Sequence, residues 1–191
     1  MPTKSFSVAV SADDGYGENN TDFNNTATDV MIGSRDYGSG SKAYFPFLRF
    51  ANVTIPNKAK IISAYLTVTE MDDSGSGTVL TKIYGEAADN PAAPTTRADV
   101  VGRVRTTAGV DWDITGGTWT DGTVVNSPEI NTVIQEIVNR TGWVIGNALQ
   151  ILIDNDTGVD KRAWFASWDH ATYTEPVLTI TYAKSQEIIM F

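Results

Sequence analysis

Ile61-Ile62-Ser63-Ala64-Tyr65-Leu66-Thr67-Val68-Thr69-Glu70 decides the fold class. From Ile62 on, apolar and polar residues alternate at every step. Ile62, Ala64, Leu66 and Val68 fall on one face; Ser63, Tyr65, Thr67 and Thr69 fall on the other. A period of two is that of a half-buried antiparallel strand. Downstream, Asp72-Asp73-Ser74-Gly75-Ser76-Gly77 reads as a hairpin loop, with residues 78–87 returning as a strand. Upstream, residues 43–50 form another strand, in which Pro46 predicts an edge or a bulge.

The remaining segments extend the pattern. Strands are expected at 6–10, 29–32, 148–154, 162–168 and 176–182. Gly- and Asn-rich turns separate several of them because these residues accept positive φ. Residues 97–101 suit a single helical turn. Ser127-Pro128-Glu129 reads as a helix start: Ser as N-cap, Pro at the first position, an acid in the first turn. Ile130, Val133, Ile134, Ile137 and Val138 follow at helical spacing. The expectation is an all-β protein, an antiparallel jelly-roll β-sandwich with one short amphipathic helix at about 128–139. One domain spans 1–183, and an apolar C-terminal tail spans 184–191.

The composition removes whole classes of function. The chain has 191 residues, 14 basic and 23 acidic, for a formal net charge of −9. Such a charge disfavours a phosphate backbone, so no nucleic acid is expected as a partner. No apolar run approaches the length of a membrane span, so no membrane partner is expected either. With no cysteine, thiolate metal sites, disulfides and cysteine nucleophiles are excluded. The one histidine, His170, excludes a two-histidine metal site. No hydrophobic h-region follows Met1-Pro2-Thr3-Lys4, so no signal peptide is expected.

Catalytic signals are poor. No G-x-S-x-G or Gly-Lys-Ser/Thr motif occurs. His170 next to Asp169 makes no dyad on a strand, because neighbours point to opposite faces. Asp111 and Asp113 would share a face as a glycosidase pair, but solvated turn acids are the simpler reading. The expectation is a protein that is not an enzyme and requires no cofactor. Structural calcium is the one metal considered. Asp154-Asn155-Asp156 and Asp13-Asp14 are oxygen-rich, so Asp13, Asp14, Asp154 and Asp156 are the candidate ligands, with a plain turn as the simpler account.

Aromatic residues carry the remaining signal. The chain has five Trp. An indole stacks on the C–H face of a sugar ring while nearby polar groups bind the hydroxyls. Trp112, Trp119, Trp164 and Trp168 are the glycan-binding candidates. Trp112 and Trp119, beside glycines, are the better placed for exposure. Trp164 and Trp168 are four apart on one strand and so share a face: outward, they form a platform with Tyr65 or Tyr84; inward, they pack under the helix as core. Phe165 alternates against them, so periodicity leaves open which face is inside. An acidic polysaccharide needs a local basic cluster, for which Arg97, Arg103 and Arg105 are the candidates.

Phe47-Leu48-Arg49-Phe50, Ile55-Pro56 and Ala59-Lys60-Ile61-Ile62-Ser63-Ala64-Tyr65-Leu66 resemble the opening of DNRLRE-type jelly rolls. The helical segment 130–138, Trp143 with Gly146-Asn147-Ala148-Leu149, and Glu175-Pro176-Val177-Leu178-Thr179-Ile180-Thr181-Tyr182 continue the resemblance over residues 6–182. It implies a fold similar to modules that recognise acidic polysaccharides. Relatives of this kind also stand alone in tailed bacteriophages. The implied function is a non-catalytic virion accessory or decoration protein on a capsid or tail, with host glycans as ligands. Its partners are then neighbouring virion subunits in an oligomeric assembly, and polysaccharide. Ile188, Ile189, Met190 and Phe191 are the assembly-contact candidates, since an apolar tail is awkward in water. The alternative is an extracellular, free-standing carbohydrate-binding module of a polysaccharide-degrading system.

Overall fold

A computed structural model describes residues 1–18, 22–36, 41–73, 77–156 and 160–183. Its strands are β1 (Thr3–Ser7), β2 (Asp14–Glu18), β3 (Phe23–Asn24), β4 (Asp29–Asp36), β5 (Ser41–Phe50), β6 (Lys60–Asp73), β7 (Thr78–Val79), β8 (Thr81–Glu86), β9 (Arg105–Asp111), β10 (Ile114–Thr115), β11 (Val124–Asn126), β12 (Leu149–Asn155), β13 (Arg162–Ala166) and β14 (Val177–Ala183). The helices are α1 (Arg97–Gly102) and α2 (Asn131–Val138).

β6 organises one layer. Its first half pairs with β14, its far end with β13, and its other edge with β11, all antiparallel. The order β1-β14-β6-β13-β4-β5-β12-β8-β9 makes one curled sheet. β4 turns the corner, pairing β13 through Asp29–Gly33 and β5 through Ser34–Asp36. The two halves then face each other across a core holding Ile32, Phe50, Leu66, Ile83, Ile151 and Phe165. This is the all-β sandwich of jelly-roll type that the alternation predicts.

Two bulges alter the expected alternation along β6. Thr181 pairs Ser63 and Tyr182 pairs Ile61, leaving Ile62 as the extra residue. Ile61 therefore turns inward and Ile62 is half-exposed, while Ala64, Leu66 and Val68 face the core as expected. Trp164 pairs Asp72 and Phe165 pairs Glu70, so Met71 is the second extra residue. A bulge opposes two residues to one and re-aims those that follow. Glu70 and Asp73 consequently both point inside.

The hairpin expected after β6 is a crossover instead. β8 joins the opposite layer, between β12 and β9, and β7 pairs β10. β12 and β13 likewise lie in different parts of the sheet. Residues 74–76 and 157–159, expected at those turns, lie outside the described residues. Pro46 is inside the ladder to β2 but just outside that to β12, which starts at Phe47. Its missing N–H falls outside that second ladder.

The helix is shorter than expected, and Ser127 is not its N-cap. Ser127 extends the β11 edge: its N–H donates to Leu66 O, and its Oγ accepts from Leu66 N. Glu129 accepts from Ser63 Oγ and Ala64 N. Helix formation starts only after Ile130. Val133, Ile134, Ile137 and Val138 seal one end of the core. Gln135 accepts from Ile61 N and Glu136 from Thr107 and Ala108 N, so α2 ties the two layers together. A second helix, α1, is capped by Thr96, whose side chain accepts from Asp99 N. Among the described residues, no helix is long and apolar enough to cross a membrane.

Candidate functional site

β13 separates two aromatic environments. Ala163 and Phe165 point into the core, while Arg162 and Trp164 lie half-exposed on the outer face. Behind Phe165 sit Trp112 and then Trp119, with ring centroids 6.3 and 6.2 Å apart in turn. Trp112 is only 5% exposed, and Trp119 is partly buried against the core. The exposure expected for Trp112 does not hold, and that of Trp119 is only partial. Their loop is pulled inward by carboxylates. Asp73 accepts from Gly117 N and Trp119 N at 2.7–3.0 Å, and Glu70 accepts from Thr120 N at 2.7 Å. Burial, and then the neighbouring Asp73 charge, push the Glu70 carboxyl above its ordinary value against the pull of Thr120 N–H.

On the outer side, Trp164 stands between Met31 of β4 and Asp72 of β6. It lines an open cleft of about 400 Å³ with Arg35, Asp72, Asp73, Asp160, Lys161 and Arg162. Three cations and three carboxylates make this cleft charge-balanced in a chain of net charge −9. Gly33 is what seats the basic pair. Its φ of +87° suits glycine, and a Cβ there would run into the Lys161 carbonyl. Ser34 N can therefore donate to Lys161 O at 2.8 Å. Arg162 spreads its guanidinium over Trp164, 4.9 Å from the ring centroid.

Trp168 does not share a strand with Trp164. β13 ends at Ala166, and Trp168 sits in the following turn at 43% exposure. Its N–H donates to Asp14 Oδ2 at 2.8 Å, and Ser11 Oγ donates to Asp169 at 2.7 Å. His170 stacks on Tyr173, and its Nδ1 accepts from Thr172 and Tyr173 N. The lone histidine thus serves as a turn anchor.

The other candidates are mostly drawn into ion pairs. Asp13 is buried against Arg49 at 2.6 Å, and Asp154 pairs Arg105 at 2.8 Å. Asp14 is buried beside Trp168, and Asp156 is exposed. Among the described residues, no three His, Asp or Glu side chains form a group able to hold a metal. The expected calcium ligands are therefore not brought together. Arg103 pairs Glu86 and Asp99, and Arg97 lies over Phe45, so Arg97, Arg103 and Arg105 make no open basic cluster. Asp111 pairs Lys82, and Asp113 lies beyond the end of β9. Ile188, Ile189, Met190 and Phe191 lie outside the described residues.

A scan against protein-family models finds no match, and no curated protein is significantly similar. The site therefore stands on its own geometry. Sequence reasoning found Trp164 but missed Arg35, Asp72, Asp73, Asp160, Lys161 and Arg162. These come from three separate parts of the chain and meet only through the β4–β13–β6 pairing. The alternation Arg162, Trp164 against Ala163, Phe165 was the one available signal, and it does not say which side is outside.

Proposed function

We propose that the protein is a non-catalytic accessory protein of a tailed-phage virion that binds a hydroxyl-rich saccharide in the Trp164 cleft. The observation that carries the binding is the Trp164 indole set on an outer face among guanidinium, ammonium and carboxylate groups. The indole offers stacking to a sugar's C–H face, the cations donate to hydroxyl oxygens, and the Asp72 and Asp160 carboxylates accept from hydroxyl protons. The non-catalytic part is supported by Asp73, whose two oxygens are taken up by Gly117 and Trp119 N–H. The virion setting rests on the resemblance to stand-alone phage jelly rolls.

A glycan array probed with the wild type and Trp164→Ala tests the binding. The expected result is a set of saccharide signals that disappears in the variant. Signals that survive Trp164→Ala would move the site elsewhere, and an empty array would end the saccharide reading. Immunogold imaging of phage particles tests the location. Labelled particles are expected; the protein found only free outside particles would instead make it an extracellular carbohydrate-binding module.

A further inference from the structure

We infer that one end of the sandwich docks on an anionic lipid surface, with Val144 and Ile145 entering the headgroup region and Lys4, Lys58 and Lys60 facing the lipid charge. Such a contact is peripheral and needs no spanning segment. It lies at the opposite end of β6 from the Trp164 cleft, since Lys60 opens that strand while Asp72 and Asp73 close it. It is independent of the saccharide reading.

The fold separates charges that the net value of −9 hides. Residues 1–12, 37–69 and 137–153 contain no acid, in a chain that has 23. Parts of all three stretches meet at this end. Gly146 N donates to Val53 O, Val53 N to Asn147 O and Trp143 Nε1 to Ile55 O, so the 143–147 turn lies along residues 53–55. Lys4 Nζ donates to Thr54 Oγ1 at 2.8 Å, and Lys58 N donates to Val138 O. Lys58 and Lys60 are exposed. Among the described residues, Lys4, Lys58 and Lys60 have no acidic partner. The acids that other segments bring here are committed: Asp89 to Arg140, and Glu136 to Thr107 and Ala108 N. At about 3.3 Å per residue, β6 holds Asp72 and Asp73 about 40 Å away from Lys60. Salt screens charges beyond about 10 Å, so the local lysines and not the net charge decide what this end attracts.

The turn itself suits a lipid interface. Val144 and Ile145 are 59% and 57% exposed, while Trp143 beside them is buried and anchors the turn. Val144 O accepts from Asn147 N, and Gly146 N and Asn147 O bond to Val53. These backbone groups keep their partners when the two aliphatic side chains leave water. The lysines sit on β1, on the 51–59 loop and on β6, an arrangement without the fixed geometry of a protein groove. Mobile anionic headgroups can meet it.

Co-sedimentation with vesicles tests this, using pure phosphatidylcholine and phosphatidylcholine mixed with phosphatidylglycerol. Wild type is expected to bind the anionic vesicles, to leave them as salt rises, and to ignore the neutral ones. Lys58→Gln/Lys60→Gln should weaken binding about thirtyfold and Val144→Ser/Ile145→Ser about tenfold. Melting curves confirm that both variants are folded. A wild type that ignores both kinds of vesicle, or either variant binding as well as wild type, would overturn the inference. Lysine-dependent association of the chain with itself without lipid, seen by analytical ultracentrifugation, would also overturn it and give this end to an acidic protein face. The Trp164 cleft stands or falls separately, on the glycan array.

Discussion

The Trp168 backbone N–H donates to Asp14 Oδ2 across 2.8 Å, joining the turn that carries an exposed indole to an aspartate that is only 1% exposed. The other oxygen, Asp14 Oδ1, has no hydrogen-bond partner among the described residues. Arg49 is close by in sequence register but is committed to Asp13. Among the described residues, Asp14 is therefore a buried acid without a counter-charge of its own. Burial pushes its pKa up to about 7; the Trp168 N–H opposes this, and Asp169, Asp13 and Glu175 add to it.

Stability should consequently fall as pH rises from about 4 to about 7. The unfolded carboxyl ionises near 3.8, whereas the folded one keeps its proton to about 7. Between those values the folded state binds more protons, so each pH unit costs up to about 1.4 kcal/mol. Above 7 the contribution of the neutral acid is lost. Urea denaturation at pH 4.5, 6 and 7.5 should show the decline, and Asp14→Asn should flatten it. An equally steep decline in the variant would assign the effect to other acids.

Trp164 and Trp112 should separate binding from stability. Trp112→Ala empties a core site between Trp119 and Phe165 and should cost about 3–5 kcal/mol. Trp164→Ala, on the outer face, should cost about 1 kcal/mol or less. Chemical denaturation of both variants checks this, and equal losses would mean that Trp164 is a core residue in solution.

Removing one side of the Asp13–Arg49 pair should be costly. Asp13 is buried, and Arg49 also donates to Pro91 O. Asp13→Ala leaves an uncompensated guanidinium and should destabilise by about 3–5 kcal/mol. In a double-mutant cycle, adding Arg49→Ala should cost less than it does in the wild type.

Gly33→Ala should disturb the cleft at its base. The residue holds φ +87°, and its new Cβ would meet the Lys161 carbonyl and Val79. A loss of about 1–3 kcal/mol is expected, with weaker saccharide binding because Lys161 and Arg162 shift. Melting curves and titration of the best array hit check the two effects together.

Calcium should leave the melting temperature unchanged. Arg49 and Arg105 already neutralise Asp13 and Asp154. Scanning calorimetry of chelator-treated protein, with and without added calcium, decides this. A rise in melting temperature on adding calcium would show that a metal site exists.

Strands, turns and the buried face of α2 were legible because each depends on local periodicity. Ala64, Leu66 and Val68 fall inward, and Ile134, Ile137 and Val138 form the apolar stripe, as the spacing requires. Which strands pair was not legible. A strand edge carries the same N–H and C=O groups whatever its neighbour, so nothing local sends β8 to β12 rather than back to β6. The helix start misled for a related reason. Ser127, Pro128 and Glu129 have N-terminal helix chemistry, yet β6 offers an open edge that binds Ser127 and Glu129 first.

By itself the sequence determined the fold class, the absence of thiol and two-histidine chemistry, and Trp164 as a ligand-binding candidate. These follow from residue type and period, which are properties of short stretches of chain. Tertiary structure alone decided that Phe165 faces the core and Trp164 the solvent. It also decided that Trp112 is buried, and that Arg35, Asp72 and Arg162 line one cleft. Those facts depend on long-range pairing, and on two bulges in β6 that change which side of the sheet the next side chains occupy.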